Sequence, residues 1–203
     1  MRTMIKSKPL TILLAGLLTI LSACTSSPDA RLYILESAGT NTTTANSETK
    51  TVFVSPVVLP DYLKRDEIVY RSGAHRIEVA QYDRWAEPLD RNITSVIAAN
   101  LTSRFGAENV IDYYSNFSAQ SDMTLRVRIL EFVPTEDNNV ILKAVWELAQ
   151  RGQGEALFSR EIDIPVRSGV LGQNIDSTVR AMSEALNQLS QEIANSIEQN
   201  NNS

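Results

Sequence analysis

Cysteine and histidine occur once each in the 203 residues. A single cysteine excludes an intramolecular disulfide framework and a thiolate cluster for a structural metal. A single histidine, His75, excludes a His-rich metal site and leaves one ring on which any Ser–His–Asp arrangement would have to be built. Aromatic residues make up only 6% of the chain, and every apolar run stops short of the ~20 residues that a spanning helix needs. Basic residues are outnumbered, 19 Lys and Arg against 24 Asp and Glu. The formal charge of −5 therefore excludes nucleic acid as the partner, because a phosphate backbone requires a positive field. What is present suits one folded domain: 43% hydrophobic and 21% charged residues supply a full-sized core and a charged surface.

The basic and apolar residues at the N-terminus are arranged as a targeting signal. Arg2, Lys6 and Lys8 precede twelve uncharged residues, Leu10 to Leu21, which are too few to cross a bilayer as a helix. Leu21-Ser22-Ala23-Cys24 follows at once and resembles the bacterial lipobox. That resemblance implies diacylglycerol on the Cys24 thiol, cleavage between Ala23 and Cys24, and acylation of the new amino group, palmitate included. The competing reading is a secreted protein with one buried cysteine, but Cys24 lies outside any core pattern. Two or more acyl chains give stable anchoring. Residue 25 is Thr and not the Asp that retains bacterial lipoproteins at the inner membrane, so the expected location is the outer membrane with the body in the periplasm. Removing residues 1–23 takes three basic side chains and moves the net charge from −5 to −8. Residues 24–30 then form the anchor and a short tether, 31–199 the domain, and 200–203 a tail that should fray.

Within the domain the expected fold is α/β (two-layer, α+β-like): a mixed, mostly antiparallel sheet covered by two long amphipathic helices. Arg31 to Leu35 reads as a first short strand. Glu36 to Lys50 contains no Val, Ile, Leu or aromatic residue and reads as a mobile loop, either a tolerated insertion or a partner-facing segment. Thr51 to Val58 is β-branched, with Pro56 pushing it toward a sheet edge or a strand end. Leu59 to Leu63 is a turn, and Glu67–Arg71 with Arg76–Ala80 flank a hairpin tip at Ser72–His75. Pro88 opens a helix whose apolar stripe runs Leu89, Ile93, Val96, Ile97, Leu101, Phe105, with Gly106 as its stop. A second stripe from Ile175 to Ile197 predicts a C-terminal helix capped by Asn174 or Asp176. Between the helices, three runs of period two centred on Val127, Ala144 and Ile162 predict an antiparallel meander with turns at 134–139 and 151–156.

Catalytic constellations fail one by one. His75 lies in a predicted hairpin tip without a nucleophile elbow, which reads as a surface turn residue. Gly152-Gln153-Gly154 joins two strands and lacks the third glycine of a phosphate loop. Asp61, Asp66 and Glu67 cluster, but nothing sets their pKa values apart, so they read as a solvated face. Four N-x-[ST] matches, at Asn41, Asn92, Asn100 and Asn116, read as chance, and Trp85 and Trp146 as packing. The surface with the clearest reason to meet a partner is the turn Leu59, Asp61, Tyr62 and Leu63 with the strand edge near Pro56. Its apolar side chains and unpaired backbone would need cover. Core packing of Tyr62 is the alternative.

The run from Val57 to Phe105 carries V-V-L-P-D-Y-L, then I-V-Y-R-S, then R-W-A-E-P-L. In this order, with Leu59, Pro60, Tyr62, Leu63, Val69, Tyr70, Trp85, Pro88 and Leu89 at the key positions, it resembles the ABC-type transport auxiliary lipoproteins, the paraquat-inducible protein C group. The likeness extends over residues 24–199, the loop at 36–50 being a departure from it. It implies a non-enzymatic, outer-membrane-anchored partner of a mammalian-cell-entry (MCE) domain protein in an intermembrane lipid transport system that supports envelope integrity. It also implies no catalytic residue and no cofactor beyond the covalent diacylglycerol and N-acyl chain on Cys24. A homo-oligomer, and a periplasmic lipid-carrier module with its own apolar pocket, remain open alternatives.

Overall fold

The computed structural model describes residues 29–39, 50–114, 121–137, 139–150, 155–165 and 174–201, with β8 and the last helical residues given as backbone only. The signal segment 1–23, Cys24, residues 40–49 of the predicted loop, the 151–154 turn and the last two residues of the tail lie outside these. The chain order is β1 (Arg31–Tyr33), β2 (Val52–Val54), a 3-10 turn (Asp61–Leu63), β3 (Glu67–Arg71), β4 (Ile77–Trp85), α1 (Leu89–Phe105), β5 (Val110–Asp112), β6 (Met123–Pro134), β7 (Asn139–Gln150), β8 (Glu155–Pro165) and α2 (Ile175–Asn201).

The meander is the centre of the fold. In β7 the residues Val140, Leu142, Ala144, Trp146 and Leu148 are all buried, so period two places one whole face of the strand in the core. β6 pairs antiparallel with β7 through Leu125↔Leu148 and Val127↔Trp146, and β7 pairs antiparallel with β8 through Trp146↔Phe158. A register shift between Ile129 and Glu131 leaves Leu130 without a partner in the ladder and exposed.

The expected single sheet is two. A five-stranded sheet has the order β5-β2-β6-β7-β8 and a three-stranded sheet the order β1-β4-β3. Three pairings are parallel (β1 with β4, β2 with β5, β2 with β6) and three antiparallel, although the antiparallel ladders are the long ones. Parallel neighbours need a crossover, and α1 provides it between β2 and β5. The three residues of β5 show no alternation of their own and were not expected. α1 packs on β2 and β5 and α2 on β6, β7 and β8, with the two helices also against each other. A single buried cluster joins both helices to the strands.

The helix ends follow local chemistry. Pro88, expected as the first helical residue, occupies the N-cap position with φ −51° and ψ 126°, so the helix starts one residue later, at Leu89. Gly106 ends α1 at φ 93° and ψ 153°, a conformation that side chains with a Cβ rarely adopt, and its N–H donates to the Thr102 carbonyl at 2.9 Å. At α2 the cap is Asn174, whose Oδ1 accepts from the Ser177 N–H at 3.1 Å. That helix runs to Asn201, into the segment expected to fray.

Candidate functional site

Pro60 sets the entry to the 3-10 turn, which closes by Leu63 N–H donating to the Pro60 carbonyl at 3.0 Å and Lys64 N–H to the Asp61 carbonyl at 3.1 Å. This tight turn drives Leu59 and Leu63 inward, where both are buried. Tyr62 is half-buried against the core, and burial, then the charge of Glu131, pushes its phenol above the usual range. Asp61 points outward with 97% of its side chain exposed. Its carboxylate meets Lys64 Nζ at 2.7 Å, and that hydrogen bond and charge hold it below the usual carboxylate range. Of the four expected contact residues, Asp61 and part of Tyr62 are thus presented at the surface, while Leu59 and Leu63 fill the core of their own chain.

The expected open edge near Pro56 is closed. β2 lies between β5 and β6. Beyond it the chain continues along β6: Ser55 N–H donates to the Leu125 carbonyl, Val58 N–H to the Val127 carbonyl, and Ile129 N–H to the Val58 carbonyl. On the other side Val57 N–H donates to Thr94 Oγ1 of α1 at 3.0 Å. Pro56 needs no such partner because it has no N–H. It marks a strand end, and the N–H groups on either side of it are paired.

The segment that follows the tether is fastened at several points. β1 runs parallel to β4, and Arg31 pairs with the buried Asp83 carboxylate: Nη2 donates to Oδ2 at 3.0 Å, and Nε lies 2.7 Å from Oδ1 as an ion pair. Ala86 N–H donates to the Tyr33 carbonyl at 2.8 Å. The buried Asn92 of α1 then holds the Leu35 backbone both ways, accepting its N–H at Oδ1 (2.7 Å) and donating Nδ2 to its carbonyl (3.3 Å). Glu36 N–H donates to Ser183 Oγ of α2, and Ala38 N–H to Asn100 Oδ1 of α1. The predicted loop is irregular from Glu36, as expected, but its start is fastened, because side chains of both helices pair its first backbone groups.

Asn100 also ties the helices together, donating Nδ2 to Asn187 Oδ1 at 2.8 Å and to Ser190 Oγ at 3.1 Å. Arg104 reaches across to Glu198 through both oxygens. Beside this network opens a cleft of ≈ 300 Å³ bounded by Ala38, Asn100, Ser103, Arg104, Asn187 and Gln191. Its walls are mixed, with Ala38 and Ala194 set among the hydrogen-bonding side chains.

The remaining candidates separate. His75 is exposed in the β3–β4 turn. Asp66 is exposed, and Glu67 accepts from Arg65 at 3.0 Å, which lowers its carboxyl as Lys64 lowers that of Asp61. The two shifts run in the same direction, which is not the divergence an acid–base pair needs. Trp85 and Trp146 are both buried. Asn92 and Asn100 are structural anchors, and Asn41 and Asn116 lie outside the described residues, as do Ala23 and Cys24. Among the described residues, no group of three or more His, Cys, Asp or Glu is placed to hold a metal ion, and no helix is long and apolar enough to cross a membrane.

Residues 33–194 match the family described as the ABC-type transport auxiliary lipoprotein component. Over 110 residues, 54% of this chain, the sequence is 32% identical to the intermembrane transport lipoprotein PqiC of Escherichia coli K12; the same values hold for PqiC of Shigella flexneri. The match spans 57% of each relative's own length. Among solved structures, an uncharacterized protein superposes with TM-score 0.69 at 24% identity, covering 84% of this chain and 99% of its own. A Xanthomonas campestris protein superposes with TM-score 0.64 at 15% identity, covering 80% and 92%. Both share the fold.

Proposed function

Because the chain belongs to the ABC-type transport auxiliary lipoprotein family, we propose that it is a non-enzymatic auxiliary component of an MCE-type intermembrane lipid transport system in a Gram-negative envelope. Cys24 carries diacylglycerol and an N-acyl chain, which hold the protein at the outer membrane with its body in the periplasm, and the body docks an MCE-domain protein. The observation that carries this reading is the family match over residues 33–194, which spans nearly the whole domain behind the lipobox. The buried cluster that joins both helices to the strands agrees with a docking body.

The test is the anchor. Cys24→Ala removes the thiol on which acylation and signal cleavage both depend, so the variant should stay uncut and leave the outer-membrane fraction. In the wild type, cross-linking in intact cells should recover an MCE-domain protein, and deletion should sensitise cells to detergent. Retention of the variant in carbonate-washed outer membranes would overturn the anchor. Lipids co-purifying with residues 25–203, in place of an MCE partner, would favour the carrier reading.

A further inference from the structure

Burial alternates from Leu32 of β1 through the two residues that follow the strand. Tyr33 and Leu35 face the core, whereas Leu32 and Ile34 are 65% and 49% exposed on the opposite side. Their exposure is not the slack of a loose terminus: the backbone between and after them is fixed by β4, by the Arg31–Asp83 ion pair and by Asn92. In the ladder Leu32 stands opposite Arg84, whose side chain is also exposed. Arg84 stands opposite Glu67 on the other side of the ladder, which balances its charge, so the two rigidly held aliphatic side chains make a small apolar face with a charge-balanced border.

What covers this face follows from its distance to the anchor. The seven Cα steps from Cys24 to Arg31 reach at most roughly 25 Å at full extension. A tether of this length keeps β1 near the bilayer at all times, so even a weak contact with lipid acts as an intramolecular one. Charge selects the orientation. The mature chain carries −8, so an anionic leaflet repels most of its surface, and a face with two aliphatic residues, where Arg84 offsets Glu67, approaches on better terms.

We infer that the face formed by Leu32 of β1 and Ile34 just after it, bordered by Arg84, rests on the lipid surface into which the acyl chains insert, and so fixes the orientation of the domain. The inference rests on the lipoprotein reading of Cys24. The acyl tether alone would let the body tumble; a second contact beside it leaves the helices and the five-stranded sheet turned in a constant direction toward partners.

The full acylated chain offers a direct test, because acylation of its one native cysteine leaves an introduced cysteine as the only free thiol. Leu32→Cys, Ile34→Cys and, as reference, His75→Cys are labelled with an environment-sensitive fluorophore. Each is reconstituted into vesicles of phosphatidylethanolamine with a minor fraction of phosphatidylglycerol, with and without brominated acyl chains. Brominated lipid should quench the probes at 32 and 34 several-fold more than the probe at 75. Equal quenching at the three positions in protein that floats with the vesicles overturns the inference and leaves the anchor standing. Shielding at 32 and 34 that depends on protein density and not on bromine assigns the face to a second copy, which also overturns it. Protein that fails to float removes the lipoprotein reading and the inference together.

Discussion

Asn92 shows how much one side chain can fix. It lies on the buried face of α1 and is satisfied by both backbone groups of Leu35, 57 positions earlier in the chain. Asn92→Ala would leave a buried N–H and a buried carbonyl without partners, and such groups cost about 1–3 kcal/mol each. The expected loss is therefore roughly 2–6 kcal/mol in urea unfolding of the mature chain, with earlier proteolysis after residue 35. A loss under ~0.5 kcal/mol would mean that water replaces the amide without penalty. Tyr62 gives a prediction in pH. Its phenol is raised above the usual range, chiefly by burial, so the folded chain holds that proton to higher pH than the unfolded chain. Its contribution to stability is complete below the unfolded phenol pKa, about 10, and is lost as pH rises through the folded value. The melting temperature should fall on raising the pH from about 8 to about 11, and Tyr62→Phe should fall less.

At the scale of elements, the long periodic segments were legible and the short or shared ones were not. α1, α2, β6 and β7 each carry enough apolar repeats to declare their period. β5 has three residues, and its existence depends on β2 being available as a parallel neighbour, which no local pattern reveals. The same non-local fact misplaced the edge at Pro56: a proline is tolerated beside β6 because it has no N–H to leave unpaired, so it did not mark an open edge. The N-x-[ST] matches at Asn92 and Asn100 read as chance, but these asparagines carried another signal that was passed over. Asn92 and Asn100 interrupt an apolar stripe, as Asn187 and Ser190 do on the other helix, and polar residues in buried stripes call for partners. Gly106 was legible from sequence alone. Its φ of 93° with ψ of 153° belongs to glycine, so Gly106→Ala should destabilise the domain by about 1–3 kcal/mol, measured by calorimetry. An unchanged transition would show that the chain leaves α1 by another route at little expense.

For the whole molecule, a lipid at one end and a buried core beyond it leave the surface as the place where function is expressed. The turn after Pro60 contributes one fully exposed charge there, Asp61, tied only to Lys64 three residues on. Exposed pairs of this kind contribute little to folding, so Asp61→Arg should leave the melting temperature unchanged. It does invert a charge beside the half-buried ring of Tyr62. If this turn touches the transport partner, cross-linked recovery of the MCE-domain protein should drop several-fold, and the drop should shrink in high salt as screening shortens the reach of the reversed charge. Recovery at wild-type levels in both salts would remove the turn from the interface. The search would then move to the outward side of β6, where exposed Val58 and Leu130 flank Arg128, an apolar and cationic patch on the side of the sheet away from the helices.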